Sequence, residues 1–315
     1  MRIYGYPFDT VPSVVGRCVI ALGLFDGVHS AHRRILECAR ARARELGAVF
    51  GVFTFRSDGA IKSSAERIYT DEEKRVLLSD LGAEIVIEAD FTAIRDVSPE
   101  DFVQDILIDS LGCECCVAGF NFRFGKGASG DADSLARLMS ECGREALIVD
   151  EQTIDGVTVS STLVRSLLRD GKIDEANRLL TSPYFILGRV EHGNRVGRGL
   201  GYPTLNLPLA VGRSIPRLGV YRSAVEIDGV LYSAVTNIGR CPTFDEREIH
   251  AEAHIIGELG EIYGRSVRLY LLGFLREERK FGSADELTRQ IETDKNQTIK
   301  ENGELKWQVH GQSLQ

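Results

Sequence analysis

The sequence lacks the features that would assign it to a membrane, secreted or nucleic-acid-binding class. No apolar run reaches the ~18 residues that a membrane-spanning helix needs, and residues 1–9 contain no hydrophobic segment of a secretory signal. The net charge is −8, whereas a general nucleic-acid binder carries a basic face. We therefore expect a cytoplasmic protein that binds neither membranes nor nucleic acids.

Complete motifs for a bound metal or nucleotide are missing as well. Cys113, Cys115 and Cys116 cluster, but no second C-x-x-C pair completes a zinc site, so we expect reduced thiols on or near a strand. The sequence has no G-x-x-x-x-G-K-[ST] loop, and its glycines are not spaced as in the dinucleotide-binding fingerprint. Other glycine- and arginine-containing segments are therefore the candidates for phosphate binding.

What the sequence does have is a glycine-rich stretch at residues 188–206. Its glycines let backbone N–H groups approach an anion, and its arginines can pair with phosphate oxygens. Thr204 and Asn206, two residues apart on a strand, point the same way and offer oxygens to Mg²⁺. The stretch predicts a site for a metal-bound nucleoside phosphate; the alternative is a glycine-rich hairpin with solvated arginines. The candidate residues here are Gly188, Gly193, Gly197, Arg198, Gly201, Pro203, Thr204 and Asn206.

The patterning divides the 315 residues into two halves, as the usual length of ~150 residues per domain also suggests. In the first half, apolar strands alternate with helices, which predicts a doubly wound parallel sheet. After residues 181–183 the pattern changes to short β-rich runs, with a hairpin signal at Asp228-Gly229 and a last helix from Ser283. This predicts an antiparallel barrel. We expect domains at 1–182 and 183–315, with two helices at 160–180 between the halves.

A second candidate site follows the first long strand and opens the first helix, at residues 23–32. Backbone N–H groups at a helix N-terminus attract phosphate, and His29 and His32 lie one turn apart. Both imidazoles can donate to phosphate oxygens and stabilise a leaving pyrophosphate. Open α/β sheets bind ligands at such strand ends, although a solvated histidine pair is the alternative. The other candidate residues here are Gly23, Phe25, Asp26 and Gly27.

Two further segments suit the same ligand. Residues 119–127 combine aromatic rings, Asn121 and cations that include Arg123, after another predicted strand. Ser161, Thr162 and Arg165 begin a helix, with hydroxyls at its start and the arginine one turn in. Capping by Ser161 is the simpler explanation of the second segment, and phosphate binding can accompany it.

The four motifs occur in the order F-D-G-x-H-x-x-H, G-x-N-F-x-F-G, S-S-T-x-x-R and G-R-x-x-G-x-P-T-x-N. In this order they resemble the bacterial bifunctional riboflavin kinase/FAD synthetase family, over about residues 15–296. The resemblance implies an N-terminal Rossmann-like, doubly wound nucleotidyltransferase domain, the FMN adenylyltransferase. It also implies a C-terminal antiparallel β-barrel of the riboflavin-kinase type with a terminal helix. The kinase would make FMN from riboflavin and Mg²⁺·ATP, and the adenylyltransferase would make FAD and pyrophosphate from FMN and a second ATP.

The resemblance also implies roles for individual residues. In the first domain, the two histidines would hold the ATP phosphates, and Asn121 would be a polar residue of the nucleotide and flavin site. The hydroxyls of the S-S-T motif and Arg165 would bind pyrophosphate. In the second domain, Thr204 and Asn206 would bind Mg²⁺·ATP beneath the loop of residues 193–201.

In the second domain, the resemblance also singles out residues 237–244 and 250–254. The first run, which begins with Asn237, resembles a family string that lines the barrel, and the second resembles the strand that carries the catalytic glutamate. Glu252 is therefore our candidate for the general base that takes the proton of the ribityl 5′-hydroxyl. Strand alternation puts Glu252 and His250 on one face, and a solvated carboxylate is the alternative.

The sequence departs from the family pattern in two places, both in the first domain. Ala31 replaces the usual glycine between the histidines, and its methyl group could crowd the nucleotide. Ser57, Asp58 and Gly59 stand where the family has Pro-His-Pro. The alternatives are therefore a riboflavin kinase with a weak or inactive first domain, or a flavin- or nucleotide-binding regulator. The oligomeric state stays open.

Overall fold

The computed structural model describes residues 1–8, 16–56, 66–190, 204–240, 249–257 and 264–303, without the side chains of Thr204 and Ala284. The chain divides into two compact units, Met1–Ser161 and Thr162–Gln315. The two helices that the sequence puts between the halves fall within the second unit.

The first unit is a parallel sheet with helices between its strands. Its strands are β1 (Arg2–Tyr6), β2 (Cys18–Leu22), β3 (Val49–Phe55), β4 (Ile85–Ala89), β5 (Cys113–Gly119), β6 (Arg123–Phe124), β7 (Gly130–Asp131), β8 (Glu145–Val149), β9 (Thr153–Ile154) and β10 (Val157–Thr158). Its helices are α1 (Ser30–Leu46), α2 (Asp71–Asp80), α3 (Phe91–Ile94), α4 (Pro99–Asp101, continued by a π-helix at Phe102–Ser110), a 3₁₀ turn (Lys126–Ala128) and α5 (Ala132–Glu141).

Six strands form the main sheet, in the order β1-β4-β3-β2-β5-β8, and every pairing in it is parallel. All residues of β2 and β4 are buried, as expected for strands covered on both faces. The chain proceeds from β2 to β4 in one direction and continues with β5 on the other side of β2, so the strand order reverses between β2 and β5. This confirms the doubly wound prediction, and the reversal is where such sheets bind ligands.

The second unit begins with two helices, α6 (Ser161–Arg169) and α7 (Ile173–Leu179), and ends with α8 (Ala284–Asn302). Ser283 caps α8 by accepting from the backbone N–H of Glu286. Between them lies one six-stranded antiparallel sheet in the order β11-β16-β13-β14-β15-β12. Its strands are β11 (Phe185–Arg189), β12 (Thr204–Pro208), β13 (Gly219–Ile227), β14 (Val230–Arg240), β15 (Ile249–Ile255) and β16 (Ser266–Arg276).

The antiparallel sheet curls so that its two outer strands, β11 and β12, approach one another. At Gly188 of β11, an added Cβ would lie 2.6 Å from Cδ2 of Leu207 on β12. Alternate side chains of the strands are fully buried and fill the inside of this curl, among them Leu205, Ala251 and Ala253. The predicted antiparallel barrel with a terminal helix is confirmed.

Candidate active sites

The turn between β2 and α1 is held in a conformation that bulky residues rarely adopt. Phe25 has φ = 50° and Val28 has φ = 40°, both in the left-handed region, and both side chains are fully buried. Gly27 has φ = 84°, and a Cβ there would lie 2.5 Å from Cδ1 of Ile68. Strain of this kind persists only where surrounding structure fixes it, and it concentrates at functional sites.

Three hydrogen bonds fix this turn. The hydroxyl of Thr54 donates to the Leu24 carbonyl (2.9 Å), the Ile68 N–H donates to the Asp26 carboxylate (2.9 Å), and the hydroxyl of Ser161 donates to the Asp26 carbonyl (2.8 Å). Asp26 and Ser161, both predicted to contact ligand, are therefore engaged in building the turn. The sequence suggested helix capping as the simpler role of Ser161, whereas its hydroxyl bonds to the turn at Asp26.

The two histidines form one stacked unit at the N-terminus of α1. His29 caps the helix, with its Nδ1 accepting from the backbone N–H of His32 at 3.4 Å. The two rings stack with centroids 3.7 Å apart and planes 15° apart, and the edge of Phe25 packs on His32 at 5.3 Å. Because an accepting Nδ1 carries no proton, neutral His29 must carry its proton on Nε2. The pair therefore offers at least one ring N–H as a donor.

Burial keeps this pair uncharged. It lowers the pKa of His29 to about 4, and it lowers the pKa of His32 well below the ordinary value, with the neighbouring His29 adding to the effect. His29 is only 5% exposed and His32 is partly buried, so the pair is not the solvated pair that the alternative describes. The first turn of α1 contains no acidic residue, which leaves its partial positive charge available to an anion. Neutral N–H donors and a helix N-terminus together suit phosphate oxygens.

Lys74 is a residue at this site that the sequence did not single out. Its side chain is buried, and its ammonium donates to the Phe55 carbonyl at 2.7 Å and to the Thr54 hydroxyl at 3.3 Å. Thr54 in turn holds the Leu24 carbonyl, so Lys74 supports the strained turn through one intermediate. Burial lowers its pKa, while Asp71 acts in the opposite direction. No local motif marks it, because its partners lie about 20 residues earlier in the chain.

The segment after β5 carries the second set of predicted residues. β2 and β5 are paired neighbours, so the turn after β2 and the segment after β5 leave the same edge of the sheet side by side. Asn121 and Arg123 are exposed there, and Arg123 forms an ion pair with Asp131 at 3.4 Å. Phe124 is buried against Phe102, with ring centroids 5.4 Å apart, so that aromatic residue belongs to the core.

The remaining predicted residues of this motif set lie on α6, in the second unit. Thr162 is exposed, and Arg165 donates to its hydroxyl at 3.2 Å, one turn along the same helix. This intrahelical bond orients the guanidinium group. Their predicted phosphate contacts stay predictions.

In the second unit, three predicted residues form a row across neighbouring strands. Asn206 of β12 is in register with Glu252 of β15, and Glu252 is in register with Asn237 of β14. Residues paired in this way share one face of the sheet, with Cβ atoms about 5 Å apart. All three are half-buried, whereas their sequence neighbours Leu205 and Ile238 are fully buried on the opposite face.

The row shows which face of the sheet the candidate residues share. The string that begins at Asn237 was expected to line the barrel, but Ile238 faces the buried inside of the curl and Asn237 faces the other side. His250 and His254 flank Glu252 on its own face. Burial lowers the pKa of His254, and the negative charge of Glu252 acts against that shift. The strand thus presents an imidazole, a carboxylate and an imidazole in alternation.

The oxygen atoms of this face fit a hard cation. Asn206 supplies an amide oxygen directly across from the Glu252 carboxylate, and Mg²⁺ prefers such oxygen donors together with ligand phosphates. Thr204 lies two residues before Asn206 on β12. Among the residues that the structure describes, no group of three or more histidine, cysteine, aspartate and glutamate side chains could hold a metal.

Several predicted residues have a packing reason or fall outside the structure. Gly188 allows the close approach of Leu207, which requires a glycine whether or not a ligand binds. Gly23 lies directly after β2, with the Phe25 ring 3.1 Å from where its Cβ would be. Five predicted residues lie outside the described residues, namely Gly193, Gly197, Arg198, Gly201 and Pro203.

Two general expectations can be compared with the structure. The cysteines of the 113–116 cluster are free thiols, fully buried in β5, as the sequence suggested. Within the described ranges, none of the helices is both long enough and apolar enough to cross a membrane.

Comparison with known proteins gives matches to both halves. A family model described as FAD synthetase matches residues 12–163, and one described as riboflavin kinase matches residues 180–301. The bifunctional riboflavin kinase/FMN adenylyltransferase of Bacillus subtilis (strain 168) is 33% identical over 305 residues, which cover 94% of this chain and 96% of that protein. The protein of the same description from Pseudomonas fluorescens is 35% identical over 282 residues, covering 88% and 90%.

One solved structure is similar over most of the chain. It is a crystal structure described as a macrolide-efflux protein from Streptococcus pneumoniae, with a TM-score of 0.79 and 31% identity over 90% of this chain and 94% of that one.

Proposed function

We propose, because the chain belongs to the bifunctional riboflavin kinase/FMN adenylyltransferase family, that it converts riboflavin to FMN and FMN to FAD. Each step uses one ATP. We assign the first step to the region that matches the riboflavin kinase model, residues 180–301, and the second to the region that matches the FAD synthetase model, residues 12–163. The observation that supports this proposal is that one unit has a stacked, neutral histidine pair at a helix N-terminus, and the other has Asn206, Glu252 and Asn237 in one row across neighbouring strands.

In the second unit, Glu252 is the general base for phosphoryl transfer. The ribityl 5′-oxygen attacks the γ-phosphorus of ATP, a new O–P bond forms, and the bond to the ADP oxygen breaks. The hydroxyl proton passes to the Glu252 carboxylate as the attack proceeds. The position of Glu252 on the half-buried face, in register with Asn206 and Asn237, supports this role.

The residues proposed for the metal are Thr204 and Asn206. Bound Mg²⁺ would neutralise charge that develops on the transferred phosphoryl group and on ADP. The protein's part is to hold an amide oxygen beside the general base, and the register of β12 with β15 supports that arrangement. The glycine-rich residues 193–201 are proposed to cover the phosphates.

In the first unit, the phosphate of FMN attacks the α-phosphorus of a second ATP, and pyrophosphate leaves with the electrons of the broken bond. We assign to His29 and His32 the stabilisation of the leaving pyrophosphate through ring N–H donors. The neutrality of both histidines supports this role. Each neutral imidazole offers one N–H donor, and the free protein does not have to bury a charge to hold it. Ser161, Thr162 and Arg165 are proposed to contact the phosphates, and Asn121 and Arg123 the nucleotide or flavin.

The departures at Ala31 and at residues 57–59 bear on the rate of the second reaction. Ala31 lies in the first turn of α1, where helical backbone accepts an alanine without strain. The turn before it, with its left-handed residues and its three hydrogen bonds, is complete. The other departure, at residues 57–59, lies outside the described residues. We assign adenylyltransferase activity to this chain because of its match to the FAD synthetase family model.

A chromatographic time course tests the proposal. The protein is incubated with riboflavin, ATP and Mg²⁺, and the flavins are separated at intervals. We expect FMN to rise first and FAD to follow it. A product that stops at FMN would support the alternative of an inactive first domain, and the absence of FMN would overturn the proposed kinase.

A further inference from the structure

We propose that Glu278 is a positioning residue of the kinase site, which orients the Asn237 side chain so that its amide oxygen accepts a hydrogen bond from the flavin substrate. The inference rests on the proposed function. Glu278 lies just after β16, and it is outside every residue set that the sequence motifs assigned to a ligand.

The contact itself is well defined. The Asn237 Nδ2 donates to Oε1 of Glu278 at 2.8 Å. A Cβ at Gly239 would overlap the same carboxylate oxygen and would also lie 3.1 Å from the Asn237 amide nitrogen. Glycine at position 239 is therefore what allows the carboxylate to reach Asn237, two residues away on β14.

The chemistry of the partner fixes the orientation of the amide. An ionised carboxylate can only accept hydrogen bonds, so Asn237 must turn its NH₂ group toward Glu278. Its oxygen must then point away from Glu278. With an apolar neighbour in place of Glu278, no hydrogen bond on that side would favour one orientation of the amide over the other.

The amide oxygen that results is a buried acceptor without a donor. Oδ1 of Asn237 is inaccessible to solvent, and none of the described residues donates to it. A buried acceptor in this state has given up its bond to water without a replacement, so a ligand that supplies a donor restores the missing hydrogen bond. Because Asn237 is in register with Glu252, the donor belongs to a ligand that also reaches the general base.

A flavin offers two kinds of donor, the hydroxyls of its ribityl chain and the imide N–H of its ring. Both would be recognised by the same amide oxygen. The phosphates of ATP only accept hydrogen bonds, and its donors lie on the ribose and the adenine, at the other end of ATP from the γ-phosphate that must meet the base Glu252 beside Asn237. The effect of Glu278 should therefore appear in the apparent affinity for riboflavin and not in that for ATP.

The experiment measures FMN formation by wild type, Glu278→Gln, Asn237→Asp and the double variant. Glutamine at 278 no longer dictates the amide orientation, and aspartate at 237 faces a second carboxylate. We expect each single variant to raise KM for riboflavin about tenfold, with KM for ATP and FAD formation from FMN within about twofold of wild type.

The double variant, Glu278→Gln with Asn237→Asp, distinguishes an orienting hydrogen bond from two unrelated losses. Glutamine at 278 can donate to aspartate at 237, which reverses the polarity of the bond and still leaves one carboxylate oxygen aimed as Oδ1 is in wild type. We expect KM for riboflavin to return to within about threefold of the wild-type value. A double variant that is additive would overturn the proposal, as would an unchanged KM for riboflavin in both single variants.

Glu277→Gln is the matched control. Glu277 is the adjacent exposed carboxylate and pairs with Arg217, so its loss should leave both KM values unchanged. Riboflavin methylated at the ring imide separates the two sources of the donor. If the imide donates, methylation and Glu278→Gln have non-additive effects on KM; if a hydroxyl donates, the methylated substrate behaves like riboflavin in every variant.

Failure of the proposed function would look different. Wild-type protein that forms no FMN would remove the kinase assignment itself. Wild-type protein that forms FMN with Glu278→Gln indistinguishable from it would remove only the role of Glu278.

Discussion

The two units place their chemistry on different parts of their sheets. In the first, the histidine pair lies beyond the end of a parallel strand, on a strained turn fixed by hydrogen bonds from three other segments. In the second, Glu252, Asn206 and Asn237 lie within antiparallel strands and are brought together by the strand register, and Glu278 accepts a hydrogen bond from the Asn237 amide. A site at strand ends depends on many distant partners, whereas a site on a strand face depends on alternation and pairing.

This difference explains why sequence departures concentrate in one unit. In the second unit, Asn206, Glu252 and Asn237 are aligned by the pairing of their strands. The sequence motifs of this unit match the family pattern. The first site contains positions where a small change alters backbone geometry near a phosphate, such as Ala31. If the two sites are independent, a substitution in one of them should leave the reaction of the other unchanged.

The largest expected effect is that of Glu252→Gln. Without a base, FMN formation from riboflavin should fall ~10²–10⁴-fold, while FAD formation from supplied FMN stays near the wild-type rate. Flavin chromatography with each substrate in turn measures both. If the kinase rate is unchanged, Glu252 is not the base; if both reactions fall together, the sites are not independent.

Acid should weaken the first unit through its histidines. His29 has a pKa of about 4 when folded and about 6.5 when unfolded, so the unfolded chain takes up its proton first as the pH falls. Above about pH 6.5, His29 is neutral in both states and does not lower the free energy of unfolding. Between about pH 6.5 and about pH 4, its titration should lower that free energy by about 3 kcal/mol.

His29→Asn provides the control for the acid effect, because asparagine keeps a cap acceptor and does not titrate. Urea unfolding of both proteins at about pH 7.5 and about pH 4.5 gives the comparison. Wild type should lose more stability than the variant. Equal losses would mean that His29 is not held neutral by burial.

Substitution of His29 also separates capping from phosphate binding. We expect His29→Ala to lower FAD formation ~10–100-fold, because the ring N–H is lost. The loss of the helix cap should separately lower the free energy of unfolding by about 1 kcal/mol. His29→Asn should restore the stability and not the activity, since it lacks the ring N–H. Full activity of His29→Asn would reduce the role of His29 to capping, and an altered kinase rate would contradict independent sites.

The smallest expected effect is that of Ala31→Gly. Removal of the methyl group should raise kcat/KM for ATP in FAD formation a few-fold, while the helix loses up to about 1 kcal/mol. Steady-state kinetics and thermal unfolding measure the two changes. No gain in kcat/KM would mean that the methyl group does not crowd the nucleotide, and the departure would then be harmless.

The sequence predicted much of this because its strongest signals are local. Alternation put Glu252 and His250 on one face of the strand, as the register has them, and the β-α alternation predicted the parallel sheet. Only the family resemblance indicated which of the two faces would carry the base. Strand β1 went unpredicted, since it is a short edge strand with an exposed, mixed pattern. The segment from Pro99 to Ser110 is mainly a π-helix, which has no sequence signature of its own.

The missing parts are contacts between distant residues. The bond from Ser161 to Asp26 spans 135 residues, and no spacing rule reveals it. Lys74 and Glu278 act through residues on other strands, so their roles emerge only when the strands are assembled. The stacking of His29 on His32 follows from the helix turn, but their loss of charge follows from burial, which the local sequence does not report.

The central claim is that one chain carries two complete sites, and the first unit is where the sequence departs from the family. The most direct test gives the wild-type protein FMN, ATP and Mg²⁺ as its only substrates and measures FAD and pyrophosphate together. The account predicts FAD and pyrophosphate in equal amounts, both from wild type and from the Glu252→Gln variant. FMN left unconverted, by a protein that still makes FMN from riboflavin, would contradict it.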